Sequence, residues 1–481
     1  MIKQDEILRF IDNDRTSKRK QQARLGMRYY NGDHDIKNYK MYYYDGDGAL
    51  VEDKHRTNVK IPHQFFAELV NQATDYLMSG DGAIVRSENA DLQKELDGYF
   101  GNKFRHALGD CITHMQISGF AYMYRYIDSE KRSRFVFADG GGVVEVKARL
   151  TSDGNDYVIY YYNDTMMDDN KQEIAVERVQ VWDNTQTHYY INQDGKLKKD
   201  PDAEVNPRPH VIYNEGDTQY GEGLGAIPFY RVDNNREQKS DIHAVKALID
   251  DYDIHACSLT NDIQDFSSVV YFVKGMQGQD LNEFITNVKT KKAVGVAEGG
   301  GVDVKTVDIP YEARKVKLEH NERKIYKFGH GFDSNNIGDG NVTNVVIKSR
   351  YTLLDLKGNK IERNVRNLLD TIIEIVLDEI NQANDTGYTA REVKIEFARN
   401  FIANELDNAQ IALYDAQRQK YAIDALLSSS PYLGDEKVLE QIGVILNVDV
   451  SGINLDTIQA HKLNLDEASD ALLATKLQGE A

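Results

Sequence analysis

Across 481 residues there are two cysteines, seven prolines, one tryptophan and no long uncharged apolar run. Two thiols, Cys111 and Cys257, make neither a disulfide framework nor a four-thiolate zinc site, and they fit synthesis in a reducing cytosol. No stretch approaches the roughly 18 uncharged apolar residues of a membrane span. The most apolar long segment, IIEIVLDEI, carries three acids. The start, MIKQDEILRFIDND, has no basic region followed by an apolar one, so no secretory signal is expected, and the sequons at Asn163 and Asn341 read as chance matches. A basic balance is missing as well: 58 Lys and Arg face 77 Asp and Glu, a net charge of −19. That excludes a protein gripping nucleic acid over its whole surface, which needs cations for phosphate. With 10% aromatics and 28% charged residues, low complexity is excluded too. The length itself suggests about three domains.

What is present is a change of periodicity along the chain. Residues 3 to 30 read as one polar helix stopped by Asn31-Gly32, and 62 to 78 as an amphipathic helix with Pro62 in its first turn. Leu92 to Phe100 and Phe104 to Met115 continue the helical pattern. From 119 to about 230 the runs FAYMYRYID, SRFVFAD, GVVEVKAR, YVIYYYND, ERVQVWD and THYYINQ alternate with Asp-Gly turns, the pattern of a hairpin-rich β layer. Then Ile242, Val245, Ile249, Tyr252, Ala256, Leu259, Ile263 and Phe266 recur at three and four, a seam for a long helix packing along another helix. Six acids against Lys239 and Lys246 predict an acidic exposed face for it. Residues 268 to 309 read as a small α/β insert, and the helix from Tyr311 to Phe328 carries six basic residues that complement the acidic one. A Gly/Asn/Asp-rich loop, GHGFDSNNIGDGN, precedes a helix of about 40 residues with Gly358 as its kink point, then the strand VKIEFAR and further helices to the end.

The chemical motifs come out empty. Gly221-Glu222-Gly223-Leu224-Gly225 is not GxGxxG and precedes Ile227-Pro228, so it reads as a loop before it reads as a nucleotide cradle. DGDG at 45 to 48 and DSNNIGDGN at 333 to 341 miss the EF-hand spacing and read as solvated turns. Asp33-His34-Asp35 has no second cluster to complete a metal site and reads as a polar loop. Cys257 and His255, two apart, share no helix face, against a nucleophile and its base. Lys289, Lys291 and Lys292 form a basic cluster on the insert, a solvated face or a docking patch. No cofactor and no catalytic residue are expected.

Along the chain, Tyr29-Tyr30-Asn31-Gly32-Asp33-His34-Asp35-Ile36; Asp75-Tyr76-Leu77-Met78-Ser79-Gly80; Gly225-Ala226-Ile227-Pro228 with Asn234-Asn235, Ser240-Asp241 and Leu248 to Tyr252; Ile309 to Ala313; and Ile347-Lys348-Ser349-Arg350 form an ordered set. That set resembles the portal protein family of tailed bacteriophages, in the branch of long-tailed phages of Gram-positive hosts. Thr343-Asn344 departs from the small Ser-Gly pair of the family pattern.

The resemblance implies an α+β, predominantly helical portal fold: a β-rich wing over 1–230, a stem helix within 231–267, a small α/β clip over 268–310, a second stem helix over 311–329, a tunnel loop over 330–348, a long kinked spine helix and strand over 349–400, and a helical crown over 401–481. It implies a homo-oligomeric ring of twelve copies at one capsid vertex of the virion, the channel for packaging, retaining and ejecting double-stranded DNA. The implied partners are the terminase large subunit, a head-tail connector or adaptor, the major capsid protein and the scaffolding protein, with no membrane. On this reading Asn335, Asn336, Asn341, Lys348 and Arg350 touch DNA, the seam from Ile242 to Phe266 packs subunits, and Lys289, Lys291 and Lys292 dock a partner. Acidic outer faces would let DNA slide instead of sticking. The competing readings are a generic helical scaffold or adaptor, which leaves the helix-insert-helix layout unexplained, and a nucleic-acid-processing enzyme, which needs clustered carboxylates or a phosphate cradle.

Overall fold

A computed structural model describes residues 2–45, 47–54, 56–80, 82–147, 154–167, 172–215, 218–266, 270–274, 301–305, 311–333, 344–399 and 405–446. The chain divides into two compact units, one formed by Met1–Ile337 with Arg350–Asn400, the other by Gly338–Ser349 with Phe401–Ala481. The architecture is α+β with helix predominating.

The expected N-terminal helix is two, α1 (Gln4–Thr16) and α2 (Lys18–Tyr30). Between them Ser17 is extended, and its hydroxyl accepts the Lys20 backbone N–H at 3.3 Å. A serine that caps locally competes with the helix it would otherwise continue. Gly32, at φ +70°, supplies the left-handed stop after α2. Strands β1 (Tyr42–Tyr44) and β2 (Leu50–Glu52) form a small hairpin.

Helix α3 (Phe65–Met78) begins three residues after Pro62, which lies outside it. Strand β3 (Val85–Ser87) follows. Helix α4 (Ala90–Tyr99) is capped by the Asn89 side chain, and α5 (Asn102–Ser118) ends at Gly119, φ +90°. Gly26 of α2 lies against the carbonyl of Ile117 so closely that a Cβ there would stand 1.9 Å from the oxygen.

The β-rich layer is as the alternation predicts. Strands β4 (Phe120–Ile127) and β5 (Ser133–Ala138) pair, and β6 (Val143–Lys147), β7 (Asn155–Met167), β8 (Glu173–Trp182), β9 (Gln186–Gln193) and β10 (Lys196–Lys199) form an antiparallel meander. The β9–β10 hairpin turns at Asp194 and Gly195, both with positive φ (51° and 75°), as a type I′ turn requires. Strand β11 (Arg208–Pro209) joins this sheet beside β9; β12 (Val211–Glu215) and β13 (Thr218–Glu222) pair together; β14 (Phe229–Asp233) lies beside β4. One face of the meander packs on α1 through Ile7, Ile11, Ile159, Val179 and Val181.

Helix α6 (Ile242–Phe266) leads to β15 (Val270–Lys274), which pairs with β16 (Gly301–Lys305), and α7 (Tyr311–Gly329) follows. Helix α8 (Asn344–Asn384) has 41 residues, about 60 Å at 1.5 Å per residue, and buries Leu354, Ile361, Val365, Leu368, Ile372 and Val376 along one stripe. At Gly358 the Tyr76 ring and the Arg399 guanidinium come within 3.5 Å of where a Cβ would stand. Strand β17 (Val393–Ile395) pairs with β3. The second unit holds α9 (Glu405–Ser428) and α10 (Asp435–Leu446) with one helical turn between them.

Candidate assembly and channel elements

Helix α6 is gripped on two faces by different means. Asp253, Cys257 and Asn261 stand at i, i+4 and i+8 on one face, a rise of about 6.0 Å per step. The extended segment from Arg56 to His63 runs along them, and alternate N–H groups in an extended chain recur every ~6.6 Å. The two repeats match closely enough for three rungs. The His63 N–H donates to Asp253 Oδ1 at 2.9 Å, the Ile61 N–H to Cys257 Sγ at 3.3 Å, and the Val59 N–H to Asn261 Oδ1 at 2.8 Å. This ladder holds Pro62 in an extended strap and explains why α3 starts late.

The top rung is buried. Asp253 Oδ2 meets His34 Nδ1 at 2.7 Å, and Oδ1 meets His63 Nδ1 at 2.8 Å, while His34 Nε2 faces the Tyr29 carbonyl at 3.1 Å. Asp253 and His34 are fully inaccessible. Burial raises the energy of the Asp253 carboxylate, but the hydrogen bonds from His34, His63 and the His63 backbone outweigh it and hold the group below the usual range. The polar-loop reading of Asp33-His34-Asp35 is therefore corrected at its centre: His34 is a core residue stacked on Tyr29 at 4.6 Å. Cys257 is an acceptor in the strap, and burial pushes its thiol up, the opposite of what a nucleophile needs.

The other face of α6 carries α7. Arg314 pairs with Asp262 at 2.5 Å, Lys317 with Asp251 at 2.7 Å, and Asn321 donates to Asp251 at 2.6 Å. The charge complementarity expected between the two helices is present in these pairs. The expected acidic exposed face is not found among the described side chains; the side chain of Asp265, the sixth of the acids behind that expectation, lies outside them. Asp241 pairs with Lys357 at 3.2 Å, Asp250 accepts from Tyr29 and Lys246, and Asp251, Asp253 and Asp262 are engaged as above. Among the described side chains the exposed positions of α6 are His243, Ala244, Ala247, Ile254, Ile263 and Gln264, none of them acidic. Periodicity reports which residues are polar, and here their partners lie inside the chain.

The seam divides along its length. Ile242, Val245 and Ile249 are buried in a core with Tyr29, Phe66, Leu69, Val70, Ile117, Ile325 and Tyr326, so they close this chain's own interior. Tyr252, Ala256 and Leu259 are partly covered, Ile263 is 51% exposed, and the Phe266 side chain lies outside the described residues. Asn335, Asn336 and Asn341 also lie outside them, as do Lys289, Lys291 and Lys292; Lys348 and Arg350 fall in the first two turns of α8, described by their backbone alone. The long helix α8 is instead tied by residues no motif marked. Lys357 meets Asp241, Glu379 accepts the Tyr99 hydroxyl and the Ser133 N–H, and Arg399 binds Asp355, Asn359 and Glu362. The helical spacing of 355, 359 and 362 was the available signal for the last of these.

The side chains described above hold long helices and a β layer in fixed register, and among the described residues there is no group of side chains that could hold a metal ion. Comparison with known proteins gives the class. The chain belongs to the phage portal protein family, matching the family described as Phage portal protein, SPP1 Gp6-like, over residues 10–444. It is 26% identical over 430 residues to the portal protein of Bacillus phage SPP1, covering 88% of this chain and 83% of that one. It is 24% identical over 403 residues to the portal protein of Clostridium phage phiCD119, covering 78% and 84%. A solved structure described as the neck of a native GTA particle computed with C12 symmetry is similar over 61% of this chain and 73% of that chain, at 13% identity and a TM-score of 0.29. As a phage portal protein the chain is a component of the virion capsid. No helix among the described residues is long and apolar enough to cross a membrane.

Proposed function

We propose that this chain closes into a ring of twelve copies at one capsid vertex and forms the channel through which double-stranded DNA is packaged, retained and ejected. The observation that carries this reading is the family match over residues 10–444, joined to an apolar seam that leaves Ile263 uncovered at its lower end. With the first half of the seam closed inside this chain, Ile263 is the described seam position left for a neighbouring subunit, and a heterologous contact that closes generates a ring. In this reading 1–230 is the wing, α6 and α7 the stem, 268–310 the clip, 330–348 the tunnel loop, 349–400 the spine and 401–481 the crown. Supporting the last boundary, Phe401–Ala481 falls in a different compact unit from the wing and stem.

Weak hold on the cargo comes from the overall net charge of −19 instead of an acidic stem face. The tunnel-loop residues Asn335, Asn336 and Asn341, with Lys348 and Arg350 after them, make transient contacts to DNA phosphates. The clip cations Lys289, Lys291 and Lys292 dock the terminase large subunit and later the head-tail connector, while the wing meets the major capsid and scaffolding proteins. Supplying this gene to a phage lacking its portal gene tests the function: DNA-filled heads are expected, and empty heads despite incorporated protein would contradict it.

A further inference from the structure

The hairpin β1–β2 stands almost bare. Tyr42 is 53% exposed, Tyr44 74% and Leu50 59%, and Tyr44 sits directly across from Leu50, so these three share one face. A two-stranded hairpin of three-residue strands is marginal by itself in water, and an exposed tyrosine-rich face is the composition of an interface. Its turn is acidic, with Asp45 accepting the N–H groups of Asp47 and Ala49 while the Asp47 carboxylate is left to solvent. Asn58 and Lys60 of the strap donate to the Tyr39 and Lys37 carbonyls at 3.2 and 3.0 Å, so the segment leading into the hairpin is tied to the strap along α6.

A complementary surface lies on the outer side of α7. Tyr311, Lys315, Glu319, Arg323 and Lys327 recur every four residues and are exposed, as is Val316 at 62%. Arg323 pairs with Glu319, and Lys315 and Lys327 have no ion-pair partner among the described residues. Arg56 of the strap and Arg314 of α7 both reach Asp262, at 3.4 and 2.5 Å, yet Tyr44 at 74% and Val316 at 62% stay exposed, so each surface is uncovered within one chain.

We propose that the β1–β2 hairpin is an inter-subunit arm whose tyrosine face and acidic turn dock on the basic, apolar outer face of α7 of a second copy. The contact is heterologous, hairpin to helix, and repeats around a closed ring. It rests on the ring reading above.

The test is cross-linking of the assembled full-length chain carrying Tyr44→Cys and Val316→Cys; Cys111 and Cys257 are buried. Mild oxidation of assembled rings is expected to give a ladder of covalent oligomers in denaturing gels, and neither single variant a ladder. Intact rings by electron microscopy with no ladder would overturn the arm and leave the ring standing, whereas absence of rings in the unsubstituted protein would overturn the ring reading itself. Independently, Asp47→Lys is expected to raise the concentration at which rings dissociate by about tenfold, with Lys315→Glu restoring it. An unchanged dissociation concentration, or no restoration, would overturn the charge pairing.

Discussion

Asp253 holds His63 twice with one oxygen, taking its backbone N–H at 2.9 Å and its ring Nδ1 at 2.8 Å. The other oxygen is given to His34. One buried carboxylate thus fixes two segments of the N-terminal region on α6.

Replacing Asp253 with Asn keeps the shape and removes the charge that two imidazoles face. The expected cost is about 3 kcal/mol in unfolding free energy, read by urea denaturation, because a buried network with one partner altered leaves the others unsatisfied. A cost below about 0.5 kcal/mol would remove the anchoring role.

Acid sensitivity follows from the same group. Asp253 and Asp241 are held below the usual carboxylate range, Asp241 by Lys357, Lys360 and Asn234 against the opposing effect of burial. A depressed folded-state pKa contributes stability that is present above the unfolded value, about 3.9, and is lost as pH falls through the folded one. Stability measured by denaturation is expected to decline steeply below about pH 4, less so in Asp253→Asn. A flat profile from pH 5 to 2 would refute this.

Gly26→Ala tests the contact between α2 and α5. The added methyl meets a backbone carbonyl that cannot rotate away, so a loss of about 2–4 kcal/mol is expected in a thermal melt, far above the usual small gain from alanine in a helix.

Much of this fold was legible because burial follows periodicity. The first half of the seam, Ile242 to Ile249, the strands between 120 and 193 and the stripe on the long helix each mark a face that one layer covers. What escaped was pairing. Asp253, 190 residues from His63, looks like any surface acid in a helical window, and the acidic face inferred from such residues was wrong because their partners come from distant segments. Ser17 and the strap around Pro62 were misread for a related reason: local capping and a nonlocal hydrogen-bond ladder overrode helical propensity.

Lys348→Ala with Arg350→Ala is expected to reduce the DNA packaged per head several-fold while leaving ring formation intact, because the two cations are assigned to passing phosphates and not to packing. DNA content per particle, measured on purified heads, decides. Normal packaging and retention would remove that role.

Native mass spectrometry of the purified full-length chain bears most directly on the central claim. The result expected is a single dominant species of twelve copies, persisting at micromolar concentration across moderate salt. A strictly monomeric chain under all of those conditions would contradict the ring, and with it the channel.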